Sequence, residues 1–464
     1  MHTASVVFDA ELMRRYGGEG PRYTSYPTAL QFREGIDAVA YESAAVTSVG
    51  SLQNQPLSVY VHIPFCFSPC FYCGCNKVVT RRLDVPLAYV RRLLKEIAMR
   101  AAYFKRSRVV EQLHFGGGTP SFLPKRSLIE IMSGLDSHFG LTEDASRDYS
   151  IEVDPRGTDR DALRLMRGLG FNRLSLGVQD FEVGVQRAIN RVQSVDTVKR
   201  VHEAARDLGF RSINFDLIYG LPRQTAATFA ATLEHVVAMR PDRVAVYGYA
   251  HMPDVFKGQK QIRSEELPDG ALRLALLQLT VDTLCSAGYE YIGMDHFALP
   301  TDGLALAKNN GTLHRSFQGY TTHANRDLVN LGVSAIGIVG NLYVQNFKTL
   351  PDYGVAIDEG TLPSHRGVRM SEDDVLRREV IQQIMCRGAL DFSAIERRFE
   401  IKFADYFERE LVKAQSLAAD GLIELAADRL TLTPRGRFLM RNVAMVFDAY
   451  LASDGRRKRM SRAI

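Results

Sequence analysis

A β-type run followed by a helical pattern recurs down the first half of the chain, and this alternation limits its fold most. Runs at 58–63, 112–115, 149–153, 173–178, 212–218 and 243–249 carry apolar residues on both faces, as buried parallel strands do. Between most of them lie helical patterns. In the first, Leu87, Val90, Leu94, Ile97, Ala101 and Phe104 recur at steps of three and four, so they share one face. Asp84 and Pro86 suit the start of that helix. Further helices are expected at 125–139, 159–169, 194–208 and 226–239. Such alternation implies a parallel sheet with right-handed crossovers. Six units predict an α/β fold built on a partial, TIM-like (β/α)6 barrel, open on one side.

In such barrels chemistry gathers at the carboxyl ends of strands. A cysteine-rich loop follows the first run, and Gly116-Gly117-Gly118-Thr119-Pro120 follows the second. Glu152 and Asp154 end the third, and Gln179 and Asp180 the fourth. Asp216 and the turn Tyr219-Gly220-Leu221-Pro222 end the fifth. Tyr249-Ala250-His251 end the sixth. Each alone reads as readily as a cap or turn residue. A polar residue or glycine turn at all six ends is harder to explain that way. The three glycines let backbone groups approach a small ligand, without the GxGxxG phasing of a dinucleotide fingerprint.

The six cysteines are Cys66, Cys70, Cys73, Cys75, Cys285 and Cys386. Crowding of the first four argues against a disulfide framework. Structural zinc usually takes two separated pairs of ligands, and no second pair exists. Iron–sulfur clusters use closely spaced thiolates, usually four. The spacing Cys66-x3-Cys70-x2-Cys73 can hold three corners of a four-iron cluster and leave the fourth iron open, as a catalytic metal site requires. Zinc is the rival reading. Cys285 and Cys386 are isolated and read as small buried hydrophobes.

The chain has 464 residues, 46% hydrophobic, 24% charged and 9% aromatic, which excludes disordered, collagen-like and low-complexity classes. The net charge of +5 is a mild bias, with a basic run only at Arg456, Arg457, Lys458 and Arg459. Nucleic acid is not an expected partner. No apolar run approaches the roughly 18 residues of a membrane span, and Asp9 and Glu11 interrupt any signal-peptide core. A cytoplasmic protein is expected. Residues 1–54 form an N-terminal segment whose stretch Pro21-Arg22-Tyr23-Thr24-Ser25-Tyr26-Pro27-Thr28 is polar and proline-bracketed. Residues 55–370 form the catalytic domain. Residues 371–464 form a mostly helical C-terminal domain, with helices at 374–385 and 403–418 and a hairpin from 422–425 and 429–432. That end is winged-helix-like, and its interspersed Glu and Asp favour a cover for the open barrel over a DNA reader.

The cysteine spacing resembles that of the radical S-adenosylmethionine (SAM) enzymes. From about Tyr16 onward the chain resembles one family among them, the oxygen-independent coproporphyrinogen III oxidases of haem biosynthesis. The stretches that carry the likeness are PRYTSYPTAL, YVHIPFC, CGCNK, LHFGGGTP, SIEVDPR, FNRLSLGVQDF, FDLIYGLP, YAHMP, IGMDHFA, HRSFQGYTT and GVSAIG. The resemblance implies reductive cleavage of SAM at a 4Fe-4S cluster, and hydrogen abstraction by the resulting radical. Two propionates of coproporphyrinogen III then become vinyls, giving protoporphyrinogen IX. It further implies that Cys66, Cys70 and Cys73 ligate the cluster. Two SAM molecules would bind side by side, lined by Tyr60, Tyr72, Gly117, Gly118, Thr119, Glu152, Gln179, Arg191, Asp216, Ala250 and Ile336. Cys75, Phe317 and Gln318 would stand near the reactive centre. A low-potential electron donor such as a flavodoxin or ferredoxin and a monomeric state are also implied. The alternative is a haem-binding, chaperone-like relative that keeps the cluster. Cys75 and the segment at residues 22–28 argue against it. Residues 22–26 offer donors for substrate propionates and are expected to fold over the barrel mouth.

Overall fold

The structure, a computed structural model, describes residues 6–51, 55–105, 107–324 and 326–453. The basic run at Arg456, Arg457, Lys458 and Arg459 and the expected boundary at residue 54 lie outside them. The chain packs as two compact units. The larger comprises Gln31–Pro268 and Asn325–Arg369, and the other Met1–Leu30, Asp269–Ala324 and Met370–Ile464. This division is not the linear succession of segments expected from the sequence. The N-terminal thirty residues and an internal stretch group with the C-terminal part, because their partners lie there. Local patterning cannot reveal such pairings.

The larger unit contains the six expected strands, β1 Leu57–Ile63, β2 Val110–Gly117, β3 Asp148–Val153, β4 Arg173–Gln179, β5 Ser212–Tyr219 and β6 Arg243–Gly248. They pair in chain order and all in parallel. The longer helices between them are α1 Asp84–Ala101, α2 Lys125–Phe139, α3 Arg160–Gly168, α4 Val195–Asp207 and α5 Ala226–Met239. Side chains capping α3 to α5 are Asp159, Ser194 and Thr225, each accepting from a first-turn backbone N–H. Val59, Val61 and Ile63 on β1 and Leu93 and Ile97 on α1 are fully buried. Each such side chain contributes roughly 1.5–3 kcal/mol.

The sheet continues past β1. Strand β7 Leu328–Leu331 pairs parallel with β1, setting Asn330 opposite Tyr60. Then β8 Ile336–Val339, β9 Leu342–Asn346 and β10 Ser364–Arg369 follow antiparallel, with Arg33–Glu34 at the edge. A buried polar knot ties α1 to this extension. Glu96 accepts from Arg100 Nε at 3.0 Å, from the Gly332 amide at 2.7 Å and from Tyr353 at 2.8 Å. Arg100 also donates to Asn346 Oδ1 at 2.6 Å. Charges buried this deeply persist only when paired and hydrogen-bonded.

In the other unit the expected helix at 374–385 is Glu372–Arg387, and the helix at 403–418 breaks at Phe407 into Phe403–Tyr406 and Glu408–Ala419. The hairpin strands Ile423–Leu425 and Arg429–Leu432 gain a third, Ala389–Asp391, on the outer side of the second. The N-terminal stretch is no surface loop. Tyr23 donates to Asp448 at 2.9 Å, and Tyr26 accepts from the Ala449 amide at 3.1 Å. Both rings are buried, and Arg441 Nε donates to the Pro21 carbonyl at 3.0 Å. Thus two of the hydroxyls expected to face substrate are used inside this unit. Among the described residues, no helix is long and apolar enough to cross a membrane.

Candidate active site

The carboxyl ends of β1 to β6 in the larger unit surround one cavity of about 350 Å³. Its floor and walls are built from backbone brought unusually close. Beyond β1, Phe65–Cys66 pairs in parallel with Val78–Val79, closing the cysteine loop at its base. Inside the loop the Cys73 amide donates to the Cys70 carbonyl at 3.3 Å. From outside, Asn190 Nδ2 donates to the Pro69 carbonyl at 2.7 Å and Gln259 Nε2 to the Tyr72 carbonyl at 3.0 Å. The glycine run lies against the loop. The Gly118 amide donates to Ile63 and the Thr119 amide to Phe65, both at 2.8 Å. A Cβ on Gly118 would stand 2.7 Å from the Pro64 carbonyl carbon, and Gly117 holds φ +117°. Glycine is required here by steric contact as well as by conformation.

Cys66, Cys70, Cys73 and Cys75 all face this cavity, as do Tyr72, Gly117, Gly118 and Thr119. Burial pushes the Cys66 thiol up to about 11, with Thr119 Oγ1 3.5 Å from its sulfur. Cys73 behaves oppositely. A hydrogen bond from the Cys75 side chain, aided by the Lys77 ammonium, holds its thiol below the ordinary range. The Cys75 amide also donates to the Cys73 sulfur at 3.4 Å. Cys75 itself is exposed, forming part of the cavity wall.

Strands β3 to β5 supply the charged and polar wall. Glu152 accepts from the Gly117 amide at 3.2 Å and lies 3.2 Å from His114 Nε2. Asp216 takes a hydrogen bond from Ser175 at 2.7 Å and one from Asn214 at 2.9 Å, yet burial lifts its carboxyl to about 6. Gln179 sits at φ +65° where a bulge shifts the β4–β5 register. A bulge of this kind re-aims a side chain at a strand end. Arg191 is buried. It donates to the Gly177 carbonyl at 2.8 Å, to Asp154 at 3.2 Å and to the Cys70 sulfur at 3.6 Å. Its Nε is buried without a hydrogen-bond partner among the described residues.

Other sequence candidates lie elsewhere. Tyr60 stacks on His114 with ring centres 5.8 Å apart and bonds His62 at 3.0 Å, within β1 and outside the cavity lining. Ala250 follows β6, where its carbonyl accepts from Gln259 at 3.2 Å, and Ile336 opens β8. Neither lines the cavity. Phe317 and Gln318 form the turn between the strands His314–Ser316 and Gly319–Thr321, in the other unit. Asp180 points into the core instead, accepting from Gln224 at 2.6 Å, Thr232 at 3.1 Å and the Glu182 amide at 2.7 Å.

The cavity also includes Lys77, Arg156, Ser175, Gly177 and Tyr247, which the strand-end reading passed over. Ser175 and Gly177 share the inward face with the strand end, one step of two residues back. That polar period of two inside an apolar run was the available signal.

The residues fit the expected cofactors. Three thiols from one short loop converge on a single cavity edged by the glycine run, whose amides are held by Glu152, Ile63 and Phe65. A buried cation with a spare donor and two carboxylates stand on the facing wall, suited to the carboxylate, amino and hydroxyl groups of an amino-acid nucleoside.

Known proteins point the same way. Residues 60–236 match the radical SAM superfamily, and residues 370–439 match the HemN C-terminal domain. A Pseudomonas aeruginosa protein named oxygen-independent coproporphyrinogen III oxidase is 50% identical over 460 residues, covering 99% of each chain. The Escherichia coli protein of that name is 45% identical over 464 residues, covering 100% of each. The solved structure of coproporphyrinogen III oxidase (HemN) from Escherichia coli, described as a radical SAM enzyme, superposes with a TM-score of 0.91 at 44% identity. That match covers 96% of this chain and 100% of the other.

Proposed function

The chain belongs to the oxygen-independent coproporphyrinogen III oxidases, and from that membership we propose how its residues divide the work. The reaction is the oxidative decarboxylation of two propionate side chains of coproporphyrinogen III to vinyls, giving protoporphyrinogen IX. When bound, the 4Fe-4S cluster and SAM supply reductive cleavage of the cofactor and the hydrogen-abstracting radical. Cys66, Cys70 and Cys73 hold the cluster. The Gly117-Gly118-Thr119 edge and Glu152 receive the amino end of SAM. Arg191 pairs with its carboxylate through donors already aligned by Gly177 and Asp154. Asp216 and Gln179 accept from hydroxyl groups. Burial of these groups limits water at the reacting atoms.

The observation that carries this reading is the convergence of three loop thiols, a glycine edge, Glu152, Arg191 and Asp216 on one cavity. Finer parts of the reading rest on family membership. Two SAM molecules bind, with Tyr60, Tyr72, Ala250 and Ile336 shaping their sites. Cys75, Phe317 and Gln318 act near the reactive centre, and the N-terminal segment helps hold substrate. The enzyme is a cytoplasmic monomer served by a low-potential flavodoxin or ferredoxin. Anaerobic incubation of reconstituted protein with SAM, dithionite and coproporphyrinogen III tests the whole. Release of carbon dioxide with 5′-deoxyadenosine and a divinyl product is expected. Retention of haem with no SAM consumed would refute it.

A further inference from the structure

The cysteine loop has an outer edge that reaches solvent beyond the cavity. Cys66 is paired across its short ladder with Val79, and Val79 is 43% exposed. Phe67, the next residue after Cys66, lines the cavity on one side and is 55% exposed, with its ring 4.2 Å from that of Phe122. The chain leaving Val79 keeps Leu83 and Leu87 at the surface, the latter on the first turn of α1. Four exposed apolar side chains thus fall within residues 67–87, the stretch that runs from a proposed cluster ligand into α1. Isolated exposed residues need no explanation, but a rimmed group of them marks an interaction surface.

The rim is basic. Arg81 and Arg91 are exposed and make no ion pair among the described residues. Arg82 is paired with Asp84 at 2.6 Å, so those two charges cancel locally. Arg92 and Lys95 share Asp358, leaving a further positive excess along α1. Lys77 stands just inside, on the cavity wall.

We propose that the edge formed by Phe67, Val79, Leu83 and Leu87, with Arg81 and Arg91, is the docking surface for an acidic, low-potential one-electron carrier protein. The inference rests on the redox reading of the cysteine site. An apolar centre excludes water at contact, while the basic rim steers an acidic partner and sets its orientation. One electron leaves the reduced carrier and enters the site held by the cysteine loop. The carrier departs oxidised by one electron, and no bond or proton is exchanged.

The test compares wild type, the double variant Arg81→Glu/Arg91→Glu, and Lys199→Glu as a charge control on α4 of the same unit. Binding of oxidised flavodoxin to the reconstituted protein is titrated at low and moderate ionic strength. The double variant should bind at least tenfold more weakly and lose most of the salt dependence, whereas Lys199→Glu should match wild type. Turnover supported by dithionite should be equal in all three. Equal flavodoxin binding by wild type and the double variant would overturn the proposal, as would an equal loss in Lys199→Glu. Wild type that binds flavodoxin at this edge yet gives no product with dithionite would leave the docking surface standing and sink the oxidase reading instead.

Discussion

Arg191 places its guanidinium 3.6 Å from the Cys70 sulfur, joining the segment after β4 to the cysteine loop of β1. Its second terminal nitrogen is fixed on the Gly177 carbonyl, and its Nε has no partner among the described residues. The charge is therefore aimed before any ligand arrives.

Arg191→Lys should separate aim from charge. An ammonium cannot hold three acceptors in the planar fork that the guanidinium fills. Losing one charge-assisted contact costs about 1.5–3 kcal/mol, so SAM should bind about ten- to a hundredfold more weakly. Iron content should stay near wild type, because all three thiols remain. Calorimetric titration of SAM into the reconstituted variant reads the change, and unaltered affinity would remove Arg191 from the cofactor site.

The four clustered cysteines should divide three to one. Serine at Cys66, Cys70 or Cys73 should abolish bound iron and sulfide. Cys75→Ser should keep the cluster and lose turnover, since Cys75 is the exposed member and its side chain is spent on Cys73. Iron and sulfide analysis beside carbon dioxide release decides it. Loss of iron from Cys75→Ser equal to that of the others would make Cys75 a fourth ligand.

Asp216 should make stability depend on pH in the absence of SAM. Burial raises its carboxyl to about 6, above the unfolded value of about 3.9. The folded chain thus binds this proton more tightly than the unfolded chain. The associated stability is complete below about pH 4 and lost as pH rises through 6. Relative to Asp216→Asn, wild type should therefore weaken by roughly 2 kcal/mol between pH 4 and 7. Thermal midpoints of the two proteins across that window should diverge. Parallel curves would show that Asp216 keeps an ordinary carboxyl.

Tyr23→Phe should cost stability. The change leaves Asp448 buried without the Tyr23 donor, worth about 1–3 kcal/mol. A lowered denaturation midpoint is expected, with cluster content of the folded fraction unchanged. An unshifted midpoint would mean that this hydrogen bond does not anchor the N-terminal stretch. For the same reason, deleting residues 1–28 would mix a substrate effect with loss of these anchors, and Arg22→Ala would also break the Arg22–Asp295 ion pair.

Several features were legible because they are local. Apolar runs with polar ends gave β1 to β6 and their order, since a buried parallel strand must be apolar on both faces and connections between neighbours are short. The spacing of Cys66, Cys70 and Cys73 on one loop brought three thiols together whatever the rest of the chain did. The Gly116–Gly118 run placed unhindered backbone at the end of β2 for the same reason.

What lay beyond sequence was every relation set by distant partners. Strand β7 pairs with β1 across more than 250 residues, and nothing in either run names the other. Asp180 and Gln179 are chain neighbours of similar polarity. The bulge turns Gln179 to the cavity, while Gln224 and Thr232 draw Asp180 into the core. Tyr23 and Tyr26 read as surface donors until Asp448 and Ala449 took their hydroxyls. Composition and periodicity determine which groups can be buried. Only the packed chain decides which acceptor each buried donor meets, because a buried polar group must find its partner wherever in the sequence that partner lies.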